Sequence, residues 1–297
     1  MKIENGQLNA LKGKNSPLTI EKRENSLDSK KILTKLLYSG VKYRCPVCGW
    51  RIRRFLPLTK FYTENLRNYG FKYKIEQFET LNLASYSCPI CGASDRDRLI
   101  ALFIKEWLKQ NCELQNLSII DFAPSPPLTS YIRREISQLN LSVEYRTADL
   151  YMENVDDKVD IMDIRSIYLS DQFDFFICSH VLEHVMDDKK ALGELYRILK
   201  PGGCGILMTP IHLEVESTDE DPSILDEAEK WRRFGQFDHV RLYSKNDFLF
   251  RIKEAGFIAQ QLGEEYFGEK SFSANGISDK SILYIVKKTG ELPNARV

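Results

Sequence analysis

From residue 116 onward, short apolar runs alternate with longer stretches of helical period. LSIIDFA ends in a proline-rich loop, PSPP, and LTSYIRREISQL follows as a helix whose first turn accommodates Pro127. LSVEYRTADL closes on Asp149, VDIMDI carries Asp163, and FDFFICS leads through SHVLEHV into a helical pattern, DKKALGELYRIL. That helix is expected to stop at LKPGG, where Pro201, Gly202 and Gly203 oppose its continuation. CGILMTPI reads as a fifth strand, and the remainder offers a helix, KNDFLFRIKEAGF, with two more strands in IAQQLGEEYF and SILYIVKK. Seven strands interleaved with helices predict an α/β fold with a doubly wound, mostly parallel sheet covered on both faces. Just upstream, Ser94 and Asp97 have capping-box spacing ahead of Leu99, Ile100, Leu102, Phe103 and Leu108, which predicts a further helix.

The front of the chain lacks this alternation. Residues 1–40 read as a polar leader, 41–95 as a small module bracketed by two cysteine pairs, and 96–290 as the α/β domain. Hydrophobic residues at 43% and charged residues at 28% are ordinary for a globular protein. No apolar run approaches the roughly 18 residues of a membrane span. The opening segment, MKIENGQLNALKGKNSP, has no apolar stretch of the kind a secretion signal needs, so a cytoplasmic location is expected. Charge is balanced overall, 42 basic against 42 acidic, but residues 1–80 hold 17 Lys and Arg against 7 Asp and Glu. A basic front permits an anionic partner.

Cys45 and Cys48 (CPVCG) and Cys88 and Cys91 (CPICG) form two C-x-x-C knuckles about 40 residues apart. Four thiolates on two tight turns suit a tetrahedral zinc ion, and a full set of protein ligands makes that zinc structural, in a zinc-ribbon-like module. Cys112, Cys178 and Cys204 stand alone and read as small hydrophobes.

In a doubly wound sheet ligands bind outside the carboxyl ends of the strands, and three of those ends carry an acid: Asp121, Asp149 and Asp163. A carboxylate after the second strand suits ribose hydroxyls, and one after the third suits an adenine amino group. The first loop, Asp121-Phe122-Ala123-Pro124-Ser125, has none of the glycines that cradle a pyrophosphate, which disfavours NAD, FAD and nucleoside triphosphates. An adenosine cofactor without phosphate fits better.

The segment FDFFICSHVLEHVMDDKKALGELYRILKPGGCGILMTP resembles the fourth strand, helix and fifth strand of class I S-adenosylmethionine-dependent methyltransferases of the type-11 group, through Asp174, Leu182-Glu183-His184, Glu194-Leu195, Arg197-Ile198-Leu199, Lys200-Pro201-Gly202-Gly203 and Thr209-Pro210. The resemblance implies a Rossmann-like methyltransferase over about residues 115–290, with S-adenosylmethionine as cofactor. It assigns Asp121 to the methionine end, Asp149 to the ribose and Asp163 with Ile164 to the adenine; Phe122, Ala123, Pro124, Leu150, Ser179 and His180 beside them are further cofactor-binding candidates, and His180 is expected at the reacting end because it directly follows the fourth strand. A small-molecule or glycan acceptor is implied, because a subset with a Phe-Ala-Pro first loop and a cysteine-bearing front is associated with such substrates. For a hydroxyl acceptor a base is required, and His180, His184 and His239 are the candidates; the segment FGQFDHVRLYS around His239 resembles an acceptor-side loop. The acidic stretch LEVESTDEDPSILDEAEKW before it is expected to form a lid. Two other readings stand beside this one. An RNA methyltransferase would use Arg51, Arg53, Arg54, Phe55, Phe61 and Tyr62 to follow phosphates and stack bases; an inactive scaffold would bind a partner and no cofactor.

Overall fold

The computed structural model describes residues 32–114 and 116–290, so most of the expected leader, 1–40, lies outside the described residues. The front module opens with an antiparallel pair, β1 (Ser39–Arg44) and β2 (Arg51–Ile52), followed by α1 (Lys60–Asn68) and then α2 (Asp95–Gln110). The rest runs β3 (Leu117–Phe122), α3 (Pro126–Gln138), β4 (Val143–Asp149), β5 (Asp157–Lys158), β6 (Phe173–Ser179), α4 (Asp188–Ile198), β7 (Leu199–Met208), β8 (Asp219–Glu220), α5 (Glu227–Phe234), β9 (Arg241–Leu242), α6 (Lys245–Glu254), β10 (Ile258–Leu262), α7 (Glu264–Phe267), α8 (Glu269–Ala274) and β11 (Leu283–Lys287). Seven strands form one sheet in the order β10-β11-β7-β6-β3-β4-β5, and β11 runs antiparallel to both its neighbours. This is the doubly wound, mostly parallel seven-stranded sheet that the sequence predicts.

Successive residues of the central strands enter opposite layers, as the two-residue period of a strand requires. Ile119, Phe175, Ile177, Ile206 and Ile285 pack with α2 and α3; Ile120, Phe176, Cys178, Leu207 and Tyr284 pack with α4 and α6. Burial on both faces explains why these strands read as continuous apolar runs. The Ser94–Asp97 capping box is present at the head of α2, and Pro126 and Pro127 open α3.

Three boundaries differ from the sequence reading. VDIMDI is not a strand: Val159, Ile161 and Ile164 are buried anchors of an irregular loop, and the third strand is the two-residue edge β5 just before it. α4 stops at Ile198, just ahead of LKPGG as expected, but β7 starts at Leu199 instead of Cys204, so KPGG lies inside the strand; Pro201 is tolerated near the strand start, and a side chain on Gly203 would meet the Asp174 carbonyl at 3.0 Å. GEEYF leaves β10 as helix α7.

The cysteine module shares a core with the sheet: Cys45, Val47, Ile52, Phe55, Cys88 and Ala93 belong to the same cluster as Leu99, Ile119 and Phe175. Arg98 on α2 fastens this junction. Its side chain is fully buried, and all five guanidinium donors meet backbone carbonyls: Nε the Asn275 oxygen at 2.7 Å, Nη1 those of Tyr86 and Ala93 at 3.1 Å, Nη2 those of Gly276 at 2.9 Å and Ser85. The guanidinium also lies 3.9 Å from the Phe55 ring centroid. One carboxyl is buried within the sheet: Asp121 at the end of β3 accepts the Tyr145 hydroxyl at 2.6 Å, and burial pushes its pKa up to about 7.

Lysine has three donors in place of five, so Arg98→Lys strands at least two carbonyls and is expected to cost about 3–5 kcal/mol in denaturant unfolding; an unchanged midpoint would refute the role given to Arg98. Asp121 adds a pH dependence. Below about pH 4 both folded and unfolded states carry its proton; between there and about 7 only the folded state keeps it, so stability falls as pH rises through that window. In Asp121→Asn this contribution, approaching about 1.4 kcal/mol per pH unit, is expected to vanish from unfolding curves taken between pH 4 and 8.

Candidate active site

The strand order reverses beside β3 and β6, and the crevice at their carboxyl ends is where such sheets bind ligands. Ala123 directly after β3 and His180 directly after β6 both have left-handed backbones, with φ of 51° and 59°. Neither is glycine, so each holds local strain of the kind found at ligand sites. A cavity of about 560 Å³ opens here, walled by Phe122, Ala123, Asp149, Leu150, Asp160, Ile161, His180 and Met186 among others. That volume lies within the roughly 300–1,000 Å³ of small-ligand sites. The Asp149 Oδ1 atom is fixed by the Tyr151 and Met152 amides, each at 2.6 Å, while Oδ2 has no hydrogen-bond partner among the described residues. Apolar side chains of Leu150, Tyr151 and Met186 stand exposed around it. A free carboxylate oxygen next to an apolar slot fits an adenosine: ribose hydroxyls as donors, a base as the flat filler.

The sequence-derived cofactor residues divide on this wall. Phe122, Ala123, Asp149, Leu150 and His180 line the cavity. Asp121, Pro124 and Ser179 do not reach its wall, and Asp121 is engaged with Tyr145. Asp163 is exposed and Ile164 sits in the core, because the loop after β5 turns Asp160 toward the cavity in their place.

A second pocket, of about 270 Å³, adjoins the first, and His180 and His184 line both. Its other walls come from three parts of the chain: Tyr62, Phe78 and Tyr86 of the front module with Asp95 and Arg96 of α2; Glu183 and Thr209 after β6 and β7; and Phe234, Gln236 and His239 from the segment before β9. The stretch expected as a lid, residues 213–231, lines neither cavity; the wall comes from Phe234, Gln236 and His239 just after it. Part of its acidic charge is neutralised locally: Arg233 pairs with Asp219 and Asp221, Arg232 with Glu229, and Arg241 and Arg251 hold Glu220, while Glu214, Glu216, Asp226 and Glu227 stand exposed.

All three candidate bases meet at Glu183. His180 Nδ1 is 3.1 Å and His184 Nε2 3.8 Å from its Oε1, and the His184 and His239 rings are 4.7 Å apart. Burial pushes His180 and His239 down to about 4, so both are neutral at pH 7 and able to accept a proton. Burial would raise the Glu183 carboxyl, but His180 and the two other imidazoles outweigh it and hold the group well below the usual range. Arg241 clamps this turn from behind: its buried guanidinium donates to the carbonyls of Leu182 at 2.5 Å, Val185 at 2.6 Å and Met186 at 3.1 Å. His212 is a packing residue among Phe71, Tyr73 and Phe78, with Nε2 3.0 Å from the Lys74 carbonyl oxygen. Glu183, Arg96, Asp160 and Arg241 were not singled out as site residues from sequence; for Glu183 the signal was its place between two histidines, three residues after one and one before the other.

The four cysteines converge apart from this site. Cys45 and Cys91 sulfurs lie 3.8 Å apart and those of Cys48 and Cys88 3.9 Å, too far for disulfides. A tetrahedron with arms of about 2.3 Å has edges of about 3.8 Å, so the donor set matches a four-thiolate metal site. Gly49 and Gly92 adopt φ of 73° and 81° to close the two knuckles.

Residues 105–207 match the family model described as a methyltransferase domain. Similar solved structures include a protein of Bacillus halodurans C-125 assigned as a methyltransferase (16% identity, 62% of this chain and 98% of that one, TM-score 0.36), and the CMeT domain of the citrinin polyketide synthase (15%, 67% and 55%, 0.45). A phosphoethanolamine N-methyltransferase 2 of Haemonchus contortus is also similar (16%, 66% and 61%, 0.37). The match spans little more than half the length of the last two. No curated protein sequence matches the chain. Over residues 105–207, about a third of its length, the chain is thus similar to that methyltransferase-domain family.

Proposed function

We propose that the chain methylates a small hydroxyl-bearing acceptor, with S-adenosylmethionine in the larger cavity and the acceptor in the smaller pocket. The junction of the two cavities at His180 and His184 carries this reading. Asp149 binds the ribose through its free Oδ2, Asp160 faces the adenine edge, and Leu150, Ile161 and Met186 enclose the base. When bound, the cofactor supplies an electrophilic methyl group on sulfur; the acceptor oxygen forms the new bond to carbon while the carbon–sulfur bond breaks and its electron pair stays on sulfur. His180, neutral and on the wall of both cavities, takes the hydroxyl proton. Arg96 also lines the acceptor pocket, where burial opposes its charge and the neighbouring Tyr86, Asp97, Asp95 and Glu183 outweigh that cost.

The pocket's size speaks for a small acceptor over RNA. Phe55, one of the expected stacking residues, is buried under Arg98 and Tyr62 faces the pocket, so neither forms an open platform for bases. In the cysteine module we propose structural zinc on Cys45, Cys48, Cys88 and Cys91.

Calorimetric titration with S-adenosylhomocysteine tests the first reading: saturable binding is expected, weakened at least tenfold, about 1.4 kcal/mol, in Asp149→Ala. Absence of binding by a folded sample would favour the scaffold reading instead. For the module, Cys88→Ser is expected to lose one equivalent of zinc by elemental analysis and to lower the melting temperature of the whole domain, because Cys88 belongs to the shared core; zinc content equal to the parent would refute the assignment.

A further inference from the structure

Two polar atoms beside the acceptor pocket are buried and unsatisfied among the described residues: Glu183 Oε1 and His239 Nδ1. Such atoms are costly unless something absent from the polypeptide pairs with them. Both residues are at least nine-tenths buried, with relative exposures of 1% and 5%. The other Glu183 oxygen is accounted for, since Oε2 accepts the Thr209 hydroxyl at 3.0 Å. Oε1 has His180 Nδ1 at 3.1 Å, poorly aligned for a hydrogen bond, and His184 Nε2 at 3.8 Å.

His184 points to what is missing. Its Nδ1 lies 3.4 Å from Asp238 Oδ2. With the proton on Nδ1, toward Asp238, the Nε2 lone pair faces the unsatisfied oxygen of Glu183. Two acceptors turned toward each other call for a cation between them. A carboxylate behind an imidazole is also the arrangement that orients a metal-binding histidine.

We propose that Glu183, His184 and His239 bind a divalent transition-metal ion at the mouth of the acceptor pocket, distinct from the cysteine site. Their ligand atoms lie within 4.8 Å of one another. Donors around such an ion stand about 3–3.5 Å apart, so the three arms need to draw in by only about an ångström. Two imidazoles and one carboxylate suit zinc, cobalt or iron(II), and three protein donors leave positions open to oxygen ligands. Glu183, His184 and His239 all line the acceptor pocket, so those positions face the acceptor. The substrate class narrows accordingly to molecules whose hydroxyl, with a neighbouring oxygen, can bind the ion and be polarised by it. This narrowing rests on the methyltransferase reading; the metal site itself does not.

The test uses the full chain with its cysteine site loaded, titrated with cobalt(II). Cobalt bound by nitrogen and oxygen shows weak visible bands without the thiolate-to-metal charge transfer that a cysteine site produces. One equivalent of this kind is expected in the parent. Affinity should fall at least tenfold in His239→Ala and, more mildly, in Asp238→Asn, whose half-exposed side chain can change without disturbing the core. Cobalt seen only on thiolates, or nitrogen/oxygen-bound cobalt unaffected by His239→Ala, would overturn the proposal. S-adenosylhomocysteine binding by the same samples separates the two readings: cofactor binding without nitrogen/oxygen-bound cobalt removes the metal alone, and cobalt uptake without cofactor binding removes the methyltransferase reading alone.

Discussion

A buried guanidinium with no carboxylate partner is costly, and Arg98 is held by five carbonyl dipoles instead. Those carbonyls come from both sides of the molecule: residues 85, 86 and 93 next to the second cysteine knuckle, and 275 and 276 after α8. Because every donor is used, the knuckle, the head of α2 and the turn before β11 have one mutual arrangement. Asp95 and Arg96, within one turn of Arg98 on the same helix, take their places in the smaller pocket as a result. The front module is thus a wall of the site and part of its support.

The second constraint is the pair of left-handed residues at the switch point. Ala123 and His180 each turn the chain sharply away from the sheet at the end of adjacent strands, which opens the crevice between them. Arg241 then ties the residues after β6 to the segment that carries His239, so the imidazoles approach Glu183 from two distant stretches of sequence. A small pocket, buried neutral histidines and an unsatisfied carboxylate follow from that tie.

Much of the fold was legible because burial on both faces makes parallel strands continuous apolar runs and because caps and prolines mark the helices. What misled was apolar residues in a loop: VDIMDI imitates a strand, since Val159, Ile161 and Ile164 anchor a wall of the cavity. The shift from Asp163 to Asp160 in the cavity wall follows from that one misreading. The cysteine pairs and three of the four histidines were visible as chemistry from their spacing and neighbours. Arg96, Arg98 and Arg241 were not, because a guanidinium that binds backbone carbonyls or faces a pocket leaves no periodic or motif-like trace in a sequence with 42 basic residues.

The most direct measurement is a crystal structure of the chain with S-adenosylhomocysteine. The adenosine is expected along Asp149 and Asp160, with the sulfur turned toward His180 and the smaller pocket. A sulfur directed away from that junction, or a ligand outside the crevice between β3 and β6, would contradict methyl transfer across the two cavities.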